Sequence, residues 1–328
     1  LYPLKGLALL VGGLLIYGLL GLLLGWSAVA AQLQALPPGL WLLAVLIVTA
    51  GHGLLFGRWQ LLLRGLGHRL EPGASARIYL AGLGLIAAPA RSGEALRGLW
   101  LQRRHQIPLR IGVAATAAER LLDLASALLV LAWGLGLAQQ RLALVGVLLA
   151  FGALVWLLSH PQALRRAEQL LGQQPWSRPW RGLHRVLWEA LQALGELRSL
   201  LRPAPLLLGL GLTSAVWLLE AALLQQLLTQ LGAAMSLEHA GVIRTATSLG
   251  GVLSLLPAGL GTSELTSVGL AMLYGANQSQ ALAATLVLRL ATLLLPSLVG
   301  ALSLWRQPDL QKIRGTKQRT DAKNKSMS

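Results

Sequence analysis

Cysteine is absent from this chain, and aspartate occurs only at positions 123, 309 and 321. The first absence removes disulfide and thiol chemistry. The second excludes the paired-aspartate metal motifs of lipid glycosyl and prenyl transferases. Six histidines are scattered without ligand spacing, so no metal and no other cofactor is expected. Charged residues make up only 12% of the sequence, and no glycine-rich nucleotide-binding loop is present. The longest stretch outside the apolar runs, about 160–203, is too short for a soluble catalytic domain. The expectation is a protein that is not an enzyme.

What fills the space is hydrocarbon. Apolar residues account for 55% of the 328 positions, a composition that belongs in a bilayer. Residues Gly6 to Gly57 include no Asp, Glu, Lys or Arg, and Pro37-Pro38-Gly39 divides them into two crossings joined by a tight turn. Further crossings are expected at Ile111–Leu137, Leu142–Leu158, Leu206–Leu231 and Ala281–Leu304. They are read as helices because backbone groups in lipid must be satisfied within the segment. Lys5, the apolar run Leu7–Leu24 and Ala28-Val29-Ala30 imitate a secretory leader. That run exceeds the ~7 to 15 residues of a leader core, so an uncleaved first crossing is expected.

Two segments interrupt the pattern in the same way. Pro89-Ala-Arg91-Ser-Gly93-Glu94 precedes Glu119-Arg120-Leu-Leu-Asp123, and Pro257-Ala-Gly-Leu-Gly261-Thr-Ser-Glu264 precedes Arg289. The prolines and the glycines Gly93 and Gly261 are 168 positions apart, the glutamates 170 and the arginines 169. One small shift therefore aligns the whole unit. About 11 uncharged residues, Ile78–Ala88, lead into Pro89, roughly half of the ~20 needed to span the hydrocarbon. Both segments are read as re-entrant helical hairpins, although Val242–Pro257 and Ala258–Gly275 are long enough to be a pair of tilted spans. The fold class expected is an all-α polytopic membrane protein with about six full transmembrane helices plus two re-entrant hairpins.

With both hairpins in place, 24 of the 28 Lys and Arg residues fall on one face. The positive-inside rule makes that face cytoplasmic and puts both termini inside the cell membrane. Three crossings separate the hairpins, so the copies form an inverted repeat, with halves at about 76–137 and 242–304. Arg120 and Arg289 then lie about 15 and 13 Å into their helices, near the midplane. Broken helices meeting at the midplane in inverted repeats are the layout of alternating access.

A charge at that depth costs at least ~2.5 to 3.5 kcal/mol, so Glu119, Arg120, Asp123, Glu220 and Arg289 must face protein or water. Interhelical ion pairs and contacts to an anionic ligand both meet this demand. Arg120 and Asp123, three apart, can pair locally. Arg289 has no acid in its own helix and needs a partner across the bundle or a ligand. Glu94 and Glu264 stand where half-helices begin, as caps, and the free amides there are candidates for binding anions.

The series Arg91-x-Gly93-Glu94, Glu119-Arg120-x-x-Asp123, Pro257-x-Gly259-x-Gly261-x-x-Glu264 and Arg289 resembles the lysylphosphatidylglycerol synthase transmembrane-region family of flippase-like membrane proteins, over about Leu4 to Trp305. That pattern usually has Gly after each motif proline, where this chain has Ala90 and Ala258. The resemblance implies movement of lipids or lipid-linked intermediates between leaflets, with Arg91, Gly93, Glu94, Glu119, Arg120, Asp123, Gly261, Glu264 and Arg289 as the substrate-binding set. It also implies a stand-alone member without the synthase domain.

Outside the flippase-like domain, 1–305, two segments stand apart. Within the cytoplasmic segment 160–203, the apolar residues Leu183, Leu187, Ala190, Leu191, Leu194, Leu197 and Leu201 recur at helical spacing and read as an interfacial amphipathic helix, either gathering anionic headgroups or serving as a surface connector anchored by Trp. Residues 306–328 read as a basic disordered tail. The net charge of +16 is explained by loops on an anionic leaflet, where each basic residue contributes ~1 kcal/mol. Nucleic acid is not an expected partner. The expected function is a lipid translocase or flippase-like carrier for an amphiphile with an anionic headgroup. The alternative is a non-transporting subunit that scaffolds a lipid-modifying enzyme.

Overall fold

Helices account for the regular structure of the described residues, and the longest follow from proline placement. The computed structural model describes residues 26–85, 96–136, 160–173, 181–200, 202–254 and 256–307, with a few positions between 145 and 156. Arg91, Gly93 and Glu94, the stretch before residue 26, most of Leu142–Leu158 and the tail from 308 lie outside them.

A short helix α1 (Trp26–Ala35) leads to α2 (Pro38–Gly65), and further along the chain α8 (Pro203–Gln230) repeats its form. Both have 28 residues and carry proline in the first turn, where the missing N–H is no loss. At 1.5 Å per residue each is about 42 Å long. Pro38–Gly65, Ala204–Gln230 and Gln278–Trp305 are long and apolar enough to cross a membrane. Each matches a crossing expected from the sequence. A fourth, α5 (Leu109–Gly134), has the length but carries Glu119, Arg120 and Asp123.

α2 and α8 run antiparallel. Gly51 faces Val216 and Arg58 bonds Thr213, so partner numbers on α8 fall as α2 numbers rise. After each long helix comes a pair of shorter ones: α3 (Pro72–Leu83) and α4 (Leu96–His105) after α2, then α9 (Leu237–Leu253) and α10 (Thr262–Leu273) after α8. These are about 15 to 26 Å long, short of the ~30 Å hydrocarbon layer. Each pair is followed by a long segment, α5 in the first case and α11 (Gln278–Arg289) with α12 (Leu295–Trp305) in the second. The same order, a long helix, a short pair and a long segment, thus occurs twice among the described residues.

Close approach depends on glycine. α4 meets α5 where a β-carbon on Gly112 would overlap the Cα of Gly98, and α3 meets α12 at Gly84 and Gly300. In a bundle without a strong hydrophobic drive between helices, such backbone contacts supply dispersion energy.

Four elements converge on two acids of α5. Glu119 is paired with Arg97 of α4 and lies 3.6 Å from Arg58 of α2. Asp123 accepts a bond of 2.6 Å from Arg58 and pairs with Arg120 at 3.2 Å. Arg58 also donates to Thr213 of α8 at 2.8 Å. Arg97 lies over the Trp59 ring, 4.5 Å from its centre, and Trp59 in turn donates to Ser75. Arg58 and Arg97 are each 2% exposed. The charge grouping had placed both with the basic loop residues, and the structure instead puts them inside the bundle, where Glu119 and Asp123 neutralise them.

The helix expected to lie along a lipid surface, α7 (Arg181–Leu200), turns part of its apolar stripe inward. Leu191, Ala193, Leu197 and Leu200 are buried where α7 packs on α5, and Arg110 bonds Glu196 at 3.0 Å. α6 (Pro161–Gln173) packs beside it.

Glu119→Ala strands two buried guanidinium groups and is expected to lower stability by about 3 to 5 kcal/mol. Arg110→Ala breaks a pair that is 43% and 32% exposed, and is expected to cost less than about 1 kcal/mol. Unfolding of both variants in the same detergent checks the contrast.

Candidate functional site

The second helix pair turns back on itself through a strained corner. α9 ends at Leu253, a 3₁₀ turn covers Pro257–Gly259, and α10 starts at Thr262. Three left-handed residues make the reversal: Ala258 (φ 55°), Gly259 (φ 64°) and Gly261 (φ 85°). The glycines adopt this region freely, whereas an alanine there is strained by about 1 to 2 kcal/mol. The two arms then touch closely. A β-carbon on Gly259 would come within 2.6 Å of Gly251 Cα, and the Ser263 hydroxyl donates to the Thr247 carbonyl at 3.3 Å.

Glu264 is the pivot of the corner. One carboxylate oxygen accepts from the Gly261 amide at 2.6 Å, capping α10, and the other accepts from Arg289 Nε at 2.8 Å. Arg289 also donates to the Ala258 carbonyl at 2.8 Å. The arginine without an acid in its own helix thus finds one across the bundle, and Glu264 caps and pairs at once. Arg289 closes α11, and a π turn (Leu290–Leu294) follows before Pro296 continues the helix as α12. Wide turns of this kind concentrate at functional sites. Glu220 of α8 bonds Arg244 of α9 at 2.7 Å, and Arg244 lies 4.8 Å from the centre of the Trp217 ring.

Beside the Glu264–Arg289 pair is a cavity of about 80 Å³ walled by α9, α10 and α11. Arg244, Thr247, Ser248, Ser267, Thr285 and Arg289 line it. Ser267 and Thr285 bond each other at 2.8 Å. The Thr247 hydroxyl is buried and has no hydrogen-bond partner, a condition that normally marks a site for water or a ligand. Two arginines beside several hydroxyls suit an oxyanion better than a cation. Among the described residues no three His, Asp or Glu side chains gather as a metal-binding group.

The expected site residues fall into two groups. Glu119, Arg120 and Asp123 belong to the ion-pair hub on α5, and Gly261, Glu264 and Arg289 belong to the corner and its cavity. Arg91, Gly93 and Glu94 lie outside the described residues. The sequence reading did not single out Arg58, Arg97, Arg244 or Thr247. The signal for the first two was charge balance, since two acids on α5 face one arginine of their own helix.

Membrane-crossing helices, a broken helix pair and buried ion pairs define an α-helical membrane protein with an intramembrane polar site. The family described as Lysylphosphatidylglycerol synthase TM region matches residues 9–300, and the chain belongs to that family. A stretch of 120 residues, 35% of this chain, is 32% identical to the protein of Haloferax volcanii named Glycosyltransferase AglD. The matched stretch spans about a fifth, 19%, of that relative's length.

Ala258→Gly relieves the left-handed alanine and is expected to be neutral or stabilising by up to about 1 kcal/mol. A thermal unfolding midpoint below that of the wild type would contradict the strain assignment.

Proposed function

We propose that this protein is a membrane lipid carrier that moves an amphiphile with an anionic headgroup between leaflets, with the cavity beside Glu264 and Arg289 as its headgroup site. The observation that carries this reading is a polar pocket, with an unsatisfied hydroxyl, at a helix break inside an otherwise apolar bundle. Carriers commonly place their sites at discontinuous helices. The family supplies the lipid context. In this reading the ordinary state has Arg289 held by Glu264, and an arriving phosphate or similar group competes for the guanidinium. Bidentate geometry suits arginine to that exchange. The first hairpin would act from the opposite side through Arg120, with Glu119, Asp123, Arg91, Gly93 and Glu94 around it. The full plan would then have about six crossings and two re-entrant hairpins in an inverted repeat, both termini cytoplasmic, in the cell membrane. The protein would be a carrier and not an enzyme, with anionic lipids as its partners.

A second reading has one specific support. The relative named a glycosyltransferase matches this chain over 120 residues, so a related segment occurs in a protein whose name describes an enzyme. Here the chain would scaffold a separate lipid-modifying enzyme, with the charges as structural pairs. Co-purification with such an enzyme and silent transport assays would favour this reading.

Leaflet exchange of headgroup-labelled lipids in vesicles containing the purified protein tests the carrier. Anionic lipids are expected to exchange faster than zwitterionic ones, and Arg289→Ala is expected to reduce the anionic rate to background. Unchanged exchange in folded Arg289→Ala would sink the assignment of this site. Thr247→Val removes a buried unsatisfied hydroxyl at nearly constant shape. It is expected to raise stability by about 1 kcal/mol while slowing exchange. Loss of stability with exchange intact would argue against an anion at this hydroxyl.

A further inference from the structure

A second cavity, of about 330 Å³, opens between α2, α3 and α12. Val48, His52 and Phe56 of α2, Tyr79 of α3 and Pro296 and Val299 of α12 are among its walls. On each helix the lining residues recur three or four apart, so each contributes one face. Thr49 and the contact of His52 Nδ1 with the Tyr79 hydroxyl, 3.3 Å, are its polar features. The rest is hydrocarbon. Water in such a cleft would find few partners, whereas apolar cavities of this kind stay dry and accept apolar guests.

The position of the cleft ties it to the polar cavity. Thr285, Leu288, Arg289 and Thr292 line the headgroup cavity, and Leu295, Pro296 and Val299 line the cleft. The segment Gln278–Trp305 lines both, the polar cavity as far as the π turn (Leu290–Leu294) and the apolar cleft from Leu295, and the π turn shifts the face it presents. The cleft starts next to the point where α3 and α12 touch at Gly84 and Gly300, and its rim includes Val45 and Val299, 44% and 39% exposed. On a membrane-crossing helix such a rim faces lipid.

We propose that the cleft holds one hydrocarbon chain of the same amphiphile whose anionic headgroup occupies the cavity at Arg289. This rests on the carrier reading and deepens it. A carrier that handles only headgroups leaves the chains in the bilayer throughout. This one shelters a chain against α2 and α3 while the head sits one turn away, so its substrate class is a lipid recognised by phosphate-like head and single chain together. Continuity along one membrane-crossing segment, from Thr292 at the polar cavity to Leu295 at the cleft, selects a lipid chain as the occupant over a segment of another protein.

The test uses the full chain in vesicles doped with a phospholipid carrying a photoreactive diazirine on one acyl chain, followed by peptide mapping. Gly53 lines the cleft, and a β-carbon placed there meets nothing within 4 Å, so Gly53→Trp fills the cleft without a backbone clash. Gly57 is equally open but does not line the cleft, and Gly57→Trp serves as the control. Labelling is expected to concentrate on α2, α3 and α12 peptides, to drop about tenfold in Gly53→Trp, and to persist in Gly57→Trp. Label spread evenly over outward residues such as Leu42, Leu207 and Leu298, and indifferent to Gly53→Trp, would overturn the chain site. Leaflet exchange measured in the same vesicles separates the two ideas. Exchange with even labelling leaves the carrier and removes the chain site, whereas cleft labelling without exchange leaves the chain site and removes the carrier.

Discussion

Neutralisation of Arg58 and Arg97 by Glu119 and Asp123 is the constraint on which the rest of the bundle depends. An isolated charge in an apolar interior is far more costly than any single packing contact, and it is tolerated only when paired and hydrogen-bonded. Because the two acids stand on α5 and the cations come from α2 and α4, with Thr213 of α8 as a further acceptor, four elements are fixed in register by one cluster. Glycine contacts such as Gly98 on Gly112 then bring the backbones close enough for those side chains to meet. Larger residues at these positions would separate α4 from α5 and lengthen the Arg97–Glu119 pair.

The second half solves the same problem differently. There a single carboxylate, Glu264, both ends a helix break and holds Arg289. The surplus of polar atoms around that pair is not consumed by the fold, as the Thr247 hydroxyl shows. One half therefore carries a dense ion-pair cluster, in which the buried Arg58 Nε is itself unsatisfied among the described residues, and the other a polar pocket.

Much of this was legible in the sequence, and for physical reasons. Long charge-free runs can only be membrane helices, so α2, α8 and the segment from Gln278 to Trp305 follow from length and composition. The corner at Pro257–Gly261 follows from proline and glycine, and the need of Arg289 for a partner from the lack of an acid in its helix. Arg58 and Arg97 were not legible. Arg58 directly follows a long uncharged run, where counting treats a basic residue as a loop flank, and only the fold carries α2 seven residues further to Gly65. Likewise α7 has the period of a surface helix, and period alone does not say whether a membrane or α5 covers its stripe.

The π turn after Arg289 has a mechanical consequence. A widened turn holds one residue more than the α turn it replaces, so it resets the phase of the helix by about 100°. In the segment from Gln278 to Trp305 that offset lets Arg289 point at Glu264 while α12 is seated against Gly84, so the π turn is the spacer that lets one helix meet two neighbours at once.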